Sequence, residues 1–206
     1  MKIITVFIAI TILSISPNLL AGNYCGDLST GGTDGPYDYT IPHRRIREIE
    51  GNHFNQDVEN LISGMTGTIG AEIDFLLRYV PNHHRALLSL SKLSLRDKTN
   101  KPAGARYTVL CFFERAIRFK PDDATVHYLF SGYLLETDKF DMALEQLNIA
   151  SKLEPNNPAI NYNLGLLYFQ KKNYDKALHF AKKAYSQNFP LPGLKNKLTS
   201  VGRWKN

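Results

Sequence analysis

Apolar residues in the C-terminal half of this chain recur at helical spacing. Between Pro158 and Lys171 the residues Leu164, Leu167 and Tyr168 fall three or four apart, with Gly165 among them, which predicts one helix. After Lys172-Asn173 the run Tyr174–Ser186 sets Ala177, Leu178, Ala181 and Ala184 on one face and predicts a second. Asn157 followed by Pro158 marks the start of the first: a capping side chain, then proline in the first turn, where no amide donor is needed. Asp122 and Asp123 open an earlier helix, where the helix dipole favours acidic side chains.

The pattern then repeats. Pro121 and Pro155 are 34 residues apart, as are Ala116, Ala150 and Ala184 in succession, and so are Ala143 and Ala177. Phe130 and Leu164, Ser131 and Gly165, Leu134 and Tyr168, and Phe140 and Tyr174 keep the same interval. The small residues have a geometric purpose: two helices of a hairpin approach closely only where a side chain is nearly absent. The large ones fill the remaining space. Such a hairpin cannot bury its apolar face alone, so hairpins stack. Upstream the frame loosens. Asn82–Leu95 is read as a first helix, and Val109, Phe113 and Ala116 fit the second, with the polar loop Arg96–Gly104 between them. A further pair is read at roughly Asn55–Ser63 and Ile69–Val80, and Leu194, Leu198, Val201 and Trp204 predict a closing amphipathic helix.

The set Asn161, Leu164, Gly165, Tyr168, Ala177 and Ala184 resembles the tetratricopeptide-repeat (TPR) pattern, and His127, Phe130, Ser131, Leu134, Ala143, Leu147, Ala150 and Pro155 match the same frame. His127 and Asn161 depart from it at the aromatic opening position, and Phe189 stands where a closing proline falls. The resemblance implies an all-α, TPR-type α-solenoid of helix-turn-helix hairpins with a C-terminal capping helix and an extended N-terminal arm. The expected organisation is a leader at 1–21, an arm at 22–49 and a solenoid at 50–206. Regular repeats are expected at 124–157 and 158–191, degenerate ones at about 50–82 and 83–123, and the capping helix at 192–204. The starting Tyr24-Cys25-Gly26 and the closing Phe189-Pro190-Leu191-Pro192-Gly193 also resemble those of small exported bacterial TPR proteins of unsettled function.

By the same resemblance, binding belongs on the concave face lined by first helices. There the frame places Arg85 and Lys92, then Tyr128, then Tyr162, Asn163 and Phe169, as contacts for a protein or peptide partner. The lysine-and-asparagine set that grips acidic C-terminal tails in some TPR proteins is incomplete: Asn163 and Lys197 fit it, whereas Tyr128 and Gly132 do not.

The ends of the chain add a compartment. Lys2, the apolar run Ile3–Ile15, the break at Ser16-Pro17-Asn18 and the small Ala21 have the order of a secretory signal peptide, so the chain is expected to be exported, periplasmic or secreted. The run falls short of the roughly 18 residues of a membrane span. Gly22 to about Pro42, with Gly31-Gly32 and Asp34-Gly35-Pro36, reads as an extended arm anchored by Tyr24, Tyr37 and Tyr39. Export permits a disulfide, and two cysteines allow one pairing, Cys25 with Cys111. A buried free thiol at Cys111, within Val109–Phe113, stands equally open.

Charge is unevenly spread. Of a net +6, nine basic residues from Lys171 onward against Asp175 alone contribute +8, which leaves −2 on the rest. Such an end attracts an acidic partner or an anionic membrane surface, and export argues against nucleic acid. A catalytic or metal reading rests on His53, His83, His84 and the tyrosine arm. His83 and His84 are adjacent, so their side chains diverge on a helix, and no HExxH-type spacing, catalytic triad or phosphate-binding glycine loop is present. The reading is a non-catalytic binding scaffold, with no catalytic residue, metal or cofactor expected.

Overall fold

The computed structural model describes residues 25–29 and 34–205. The leader at 1–21 and Tyr24 lie outside the described residues. Among these residues there are ten α-helices and no strand: α1 Arg44–His53, α2 Gln56–Glu59, α3 Ile69–Tyr79, α4 His84–Arg96, α5 Val109–Phe119, α6 Ala124–Glu136, α7 Phe140–Leu153, α8 Pro158–Gln170, α9 Tyr174–Ser186 and α10 Gly193–Ser200. The chain is an α-solenoid in which α4–α5, α6–α7 and α8–α9 form successive hairpins.

The starts of the helices are written in the sequence. Side chains of Thr68, His83, Thr108, Asp123, Asn157 and Asn173 each accept a backbone N–H from the first turn of the following helix. The hairpin turns share a second device. Lys98, Asp138 and Lys172, which follow α4, α6 and α8, all take the left-handed conformation, with φ of 50°, 59° and 58°. Each sits in a Schellman turn: Asp138 N–H donates to the Leu135 carbonyl and Lys139 N–H to that of Leu134, and the α4 and α8 turns repeat both bonds. Asn188 closes α9 in the same way.

Between the helices of a hairpin, the small residues permit contact. Ala143, Ala150, Ala177, Ala181 and Ala184 are wholly buried, alongside Leu134, Leu147 and Leu164. Gly165 lies against the Ala177 carbonyl and the Ala181 amide of its partner helix, and Leu194 of α10 seats over it. Phe113, Phe130 and Tyr133 stack across the α5–α6 junction, with ring centroids 4.7 Å and 6.2 Å from Phe113.

Three boundaries differ from the sequence reading. The arm read to residue 49 stops at His43, because Ile46 and Ile49 lie three apart and bury one face of a true helix, α1, against α3. The helix read over Asn55–Ser63 is one turn, α2; Leu61 takes φ 61° and Ile62 is 69% exposed, so α1 supplies the longer helical partner for α3. The capping helix ends at Ser200, with Leu194 and Leu198 buried. Gly202, at φ 69°, turns the chain so that Trp204 meets Tyr185 edge-on at 5.5 Å.

The arm is fixed at both of its described parts. Cys25 is joined to Cys111 of α5. Arg115, 2% exposed, donates to the Cys25 and Asp27 carbonyls, Arg118 donates to that of Gly26, and Arg115 stands 5.0 Å from the Tyr107 ring. Further along, Tyr37 N–H donates to the Tyr79 carbonyl and Tyr39 N–H to Asn82 Oδ1. The loop between α4 and α5 is held down at Gly70, where any Cβ would overlap the Ala103 carbonyl.

Two outcomes are expected. Left-handed backbone costs a non-glycine residue about 1 kcal/mol, so Asp138→Gly should gain up to that amount, less the added entropy of the unfolded chain, and raise the melting temperature by about 2–4 °C. Reduction of Cys25–Cys111, 86 residues apart, should lower stability by up to about 4–5 kcal/mol in the chain-entropy picture. Denaturant melts with and without a dithiol measure this, and mass spectrometry of the unreduced protein reads the cross-linked peptide directly.

Candidate functional site

The first helices α4, α6 and α8 stand side by side. Ser94 of α4 meets Tyr133 of α6 at 3.2 Å, and Asn163 of α8 donates to the Tyr128 hydroxyl of α6 at 3.1 Å. Along the face they share, Leu88 is 39% exposed, Lys92 is exposed, and Tyr128, Leu129, Asn163, Leu166 and Phe169 are half-buried. A Cβ at Gly132 would meet nothing within 4 Å, so the groove is open at its middle helix. Lys197 of α10 closes one end, with its ammonium 5.8 Å from the Phe169 ring.

Of the six residues read from sequence as partner contacts, Lys92 is exposed and Tyr128, Asn163 and Phe169 are half-buried. Two do not serve as read. Tyr162 is 8% exposed, because the chain after α9 folds back over it: Phe189 packs at 4.5 Å, Tyr185 at 6.4 Å, and Gly193 abuts its hydroxyl. Arg85 is engaged by Glu59 and Glu50 and lies 5.5 Å from the Phe54 ring. The Arg85 hydrogen bond holds the Glu59 carboxyl below its ordinary range, and the same pairing raises the guanidinium. A guanidinium already neutralised by two carboxylates has little charge left for a partner's.

The histidines do not converge. His53 meets Glu72 at 2.7 Å, His83 meets Glu50 at 2.9 Å, and His84 meets Asp123 at 2.8 Å. Each has its own carboxylate, and among the described residues no group of three or more His, Cys, Asp or Glu side chains could hold a metal ion. His83 is wholly buried, and its Nδ1 accepts the Ala86 amide to cap α4. That bond requires Nδ1 to be unprotonated, which leaves Nε2–H to donate to Glu50. Tyr39 lies over both adjacent rings, 4.1 Å from His83 and 5.1 Å from His84. The cluster is a latch for the arm.

At its centre is Asn82, which periodicity marks only as a helix start. It is wholly buried, accepts Tyr39 N–H, and donates to Asp38 and to Asp123 Oδ2. Asp123 also caps α6 through the Thr125 and Val126 amides. Burial pushes the Asp123 carboxyl up, but the His84 and Asn82 hydrogen bonds outweigh it and leave it low. One amide thus ties the arm, the α3–α4 turn and the α5–α6 turn together.

A stack of helix hairpins with an open face of first helices defines an α-solenoid repeat protein, a class that binds along its concave surface. Residues 134–172 match the family described as TPR repeat, and residues 158–188 match the tetratricopeptide repeat, so tetratricopeptide repeats lie within residues 134–188. Such repeats form protein-interaction scaffolds. Among solved structures, the crystal structure of MamA is 19% identical and aligns over 66% of this chain and 78% of its own, with a TM-score of 0.49. A double mutant of MamA from RS-1 is 21% identical over 57% of this chain, with a TM-score of 0.46, and the alignment spans 63% of that protein's length, less than two thirds. No curated protein matches the chain.

The His83 latch gives a pH dependence. Burial lowers the His83 pKa from its ordinary value near 6.5, and the Glu50 hydrogen bond does not restore it. The unfolded chain therefore takes up the proton first. The stability contributed by neutral His83 is complete above about pH 6.5 and declines as the pH falls below it, by at most about 1.4 kcal/mol per pH unit for one group. The carboxyls of Glu50, Glu72 and Asp123, all held low, add losses of the same sign only below about pH 4.5. Thermal melts from pH 7.5 to 5 should show the decline, and His83→Asn, which keeps a capping side chain, should flatten it.

Proposed function

We propose that this chain is an exported, non-catalytic scaffold that holds a protein or peptide partner in the concave groove of α4, α6 and α8. The observation that carries the reading is the open row from Leu88 and Lys92 past Gly132 to Asn163 and Phe169. Apolar, aromatic, amide and ammonium groups alternate there, and each is exposed or half-buried. Aromatic rings and an amide suit an extended peptide, with stacking for its side chains and hydrogen bonds for its backbone. Lys92 and Lys197 flank the row and favour a peptide bearing carboxylates. Export is supported by the order of residues 1–21 and by the Cys25–Cys111 bridge, since disulfides persist in oxidising compartments. Binding rather than turnover is supported by His53, His83 and His84, each of which is engaged by a carboxylate of its own.

The test is affinity capture from the envelope extract of the source cell, followed by affinity measurement with the partner recovered. Lys92→Glu and Asn163→Ala should each weaken binding roughly tenfold, about 1.4 kcal/mol, while leaving the melting temperature within about 1–2 °C. Tyr162→Ala, which empties a buried site, should instead lower stability by about 3 kcal/mol. Equal loss of binding from Met142→Glu, outside the groove on α7, would place the partner elsewhere.

A further inference from the structure

The C-terminal end carries a second surface, distinct from the groove. A cleft of about 460 Å³ opens between the outer side of α9 and the turn after α10, lined by Leu178, Lys182, Gly202, Arg203 and Lys205. Three of its five lining residues are cationic, and Lys182 and Lys205 are exposed. Asp175 takes one charge by pairing with Arg203 at 3.1 Å, and Arg203 is also placed 5.9 Å from the Tyr174 ring. That pairing fixes the guanidinium at the cleft while the two lysines remain as net positive charge.

We propose that this cleft seats the phosphate headgroup of an anionic phospholipid, so that the solenoid rests by its C-terminal end on a membrane surface. The size suits a headgroup, since pockets for small ligands begin near roughly 300 Å³. The floor is apolar at Leu178, and Val201, 38% exposed, adjoins the rim at Gly202, which suits a ligand that is anionic at one end and apolar beyond. The positive field is also broad. From Lys171 onward the sequence carries nine basic residues and one acid, and although Lys171 pairs with Asp141 and Lys197 stands at the groove, the excess positive charge around the cleft favours an anionic surface. None of the described helices is long and apolar enough to cross a membrane. An acidic protein could answer the same charge, but the cleft has no aromatic side chain in its lining to anchor one.

The experiment is vesicle co-sedimentation of the full chain. Vesicles of phosphatidylcholine alone are compared with vesicles containing about one third phosphatidylglycerol, at about 0.05 and 0.3 M salt. Lys2 and the apolar run near the N-terminus are the same in the parent chain and in the variants below, so the difference between parent and variants on anionic vesicles is the readout. The anionic vesicles should bind at least tenfold more protein at low salt, with most of the excess lost at high salt. Lys182→Glu and Lys205→Glu should each remove most of that excess without changing the melting curve. Lys205 lies at the end of the chain after the last helix, so its variant tests the idea even if the other misfolds. Asn163→Ala, in the groove, should leave vesicle binding intact, which separates this surface from the peptide site. Equal binding to both vesicle types, or an excess indifferent to both lysines, overturns the proposal. Full competition by millimolar inorganic phosphate would assign the cleft to a free anion, and loss of an acidic protein partner with vesicle binding unchanged would assign it to that protein; either also overturns it.

Discussion

Everything in this fold depends on how closely two helices of a hairpin can approach. That distance is set by residues with almost no side chain. Gly165 brings α8 against the Ala177 carbonyl, and Ala143, Ala150, Ala177 and Ala184 do the same from the opposite helices. Once the helices are that near, Leu134, Leu147 and Leu164 have only one direction in which to be buried, and each hairpin presents a remaining apolar edge to the next. The stacking of hairpins arises from that steric condition. Left-handed Schellman turns at Asp138 and Lys172 keep the return path short enough to maintain it, whereas α4 and α5 are joined by a longer loop.

A stack of this kind has two ends, and each is finished differently. At the C-terminal end α10 buries Leu194 and Leu198 and turns Lys195, Asn196, Lys197 and Thr199 outward, a polar cap. Toward the N-terminal end the less regular hairpins are laced by the arm. Three consecutive carbonyls, from Cys25 to Asp27, accept from Arg115 and Arg118, and Asn82 ties the later part of the arm to two interhelix turns. The chemistry of the lacing is polar because the arm has little apolar content. Its backbone must find donors and acceptors among buried side chains, and buried polar groups hold only when they are paired.

The groove reflects how these two ends are finished. Side chains on successive first helices meet different fates according to the segment packed beside them. Tyr128 and Asn163 look onto the open face and bond each other. Tyr162 is covered because the chain after α9 crosses it on the way to α10. Arg85 is neutralised because α1 and α2 bring Glu50 and Glu59 beside it. The open part is therefore the centre of the solenoid, between an arm-bound end and a capped one.

The sequence by itself determined the repeat. A 34-residue recurrence of small, aromatic and proline positions needs no partner to be seen, because packing between neighbouring helices is local and renews itself in each copy. The same holds for the helix starts at Asp123 and Asn157, where a capping side chain acts on amides two and three residues away. Only the tertiary structure decided the rest. The length of α1 and the shortness of α2 depended on how much of each segment packs on α3, which both of them touch. The roles of Asn82 and Arg115 depended on partners 43 and 90 residues away. So did the loss of Tyr162 and Arg85 from the groove, each to a segment outside its own helix. Periodicity tells which face of a helix is apolar; it does not tell which distant segment comes to cover it.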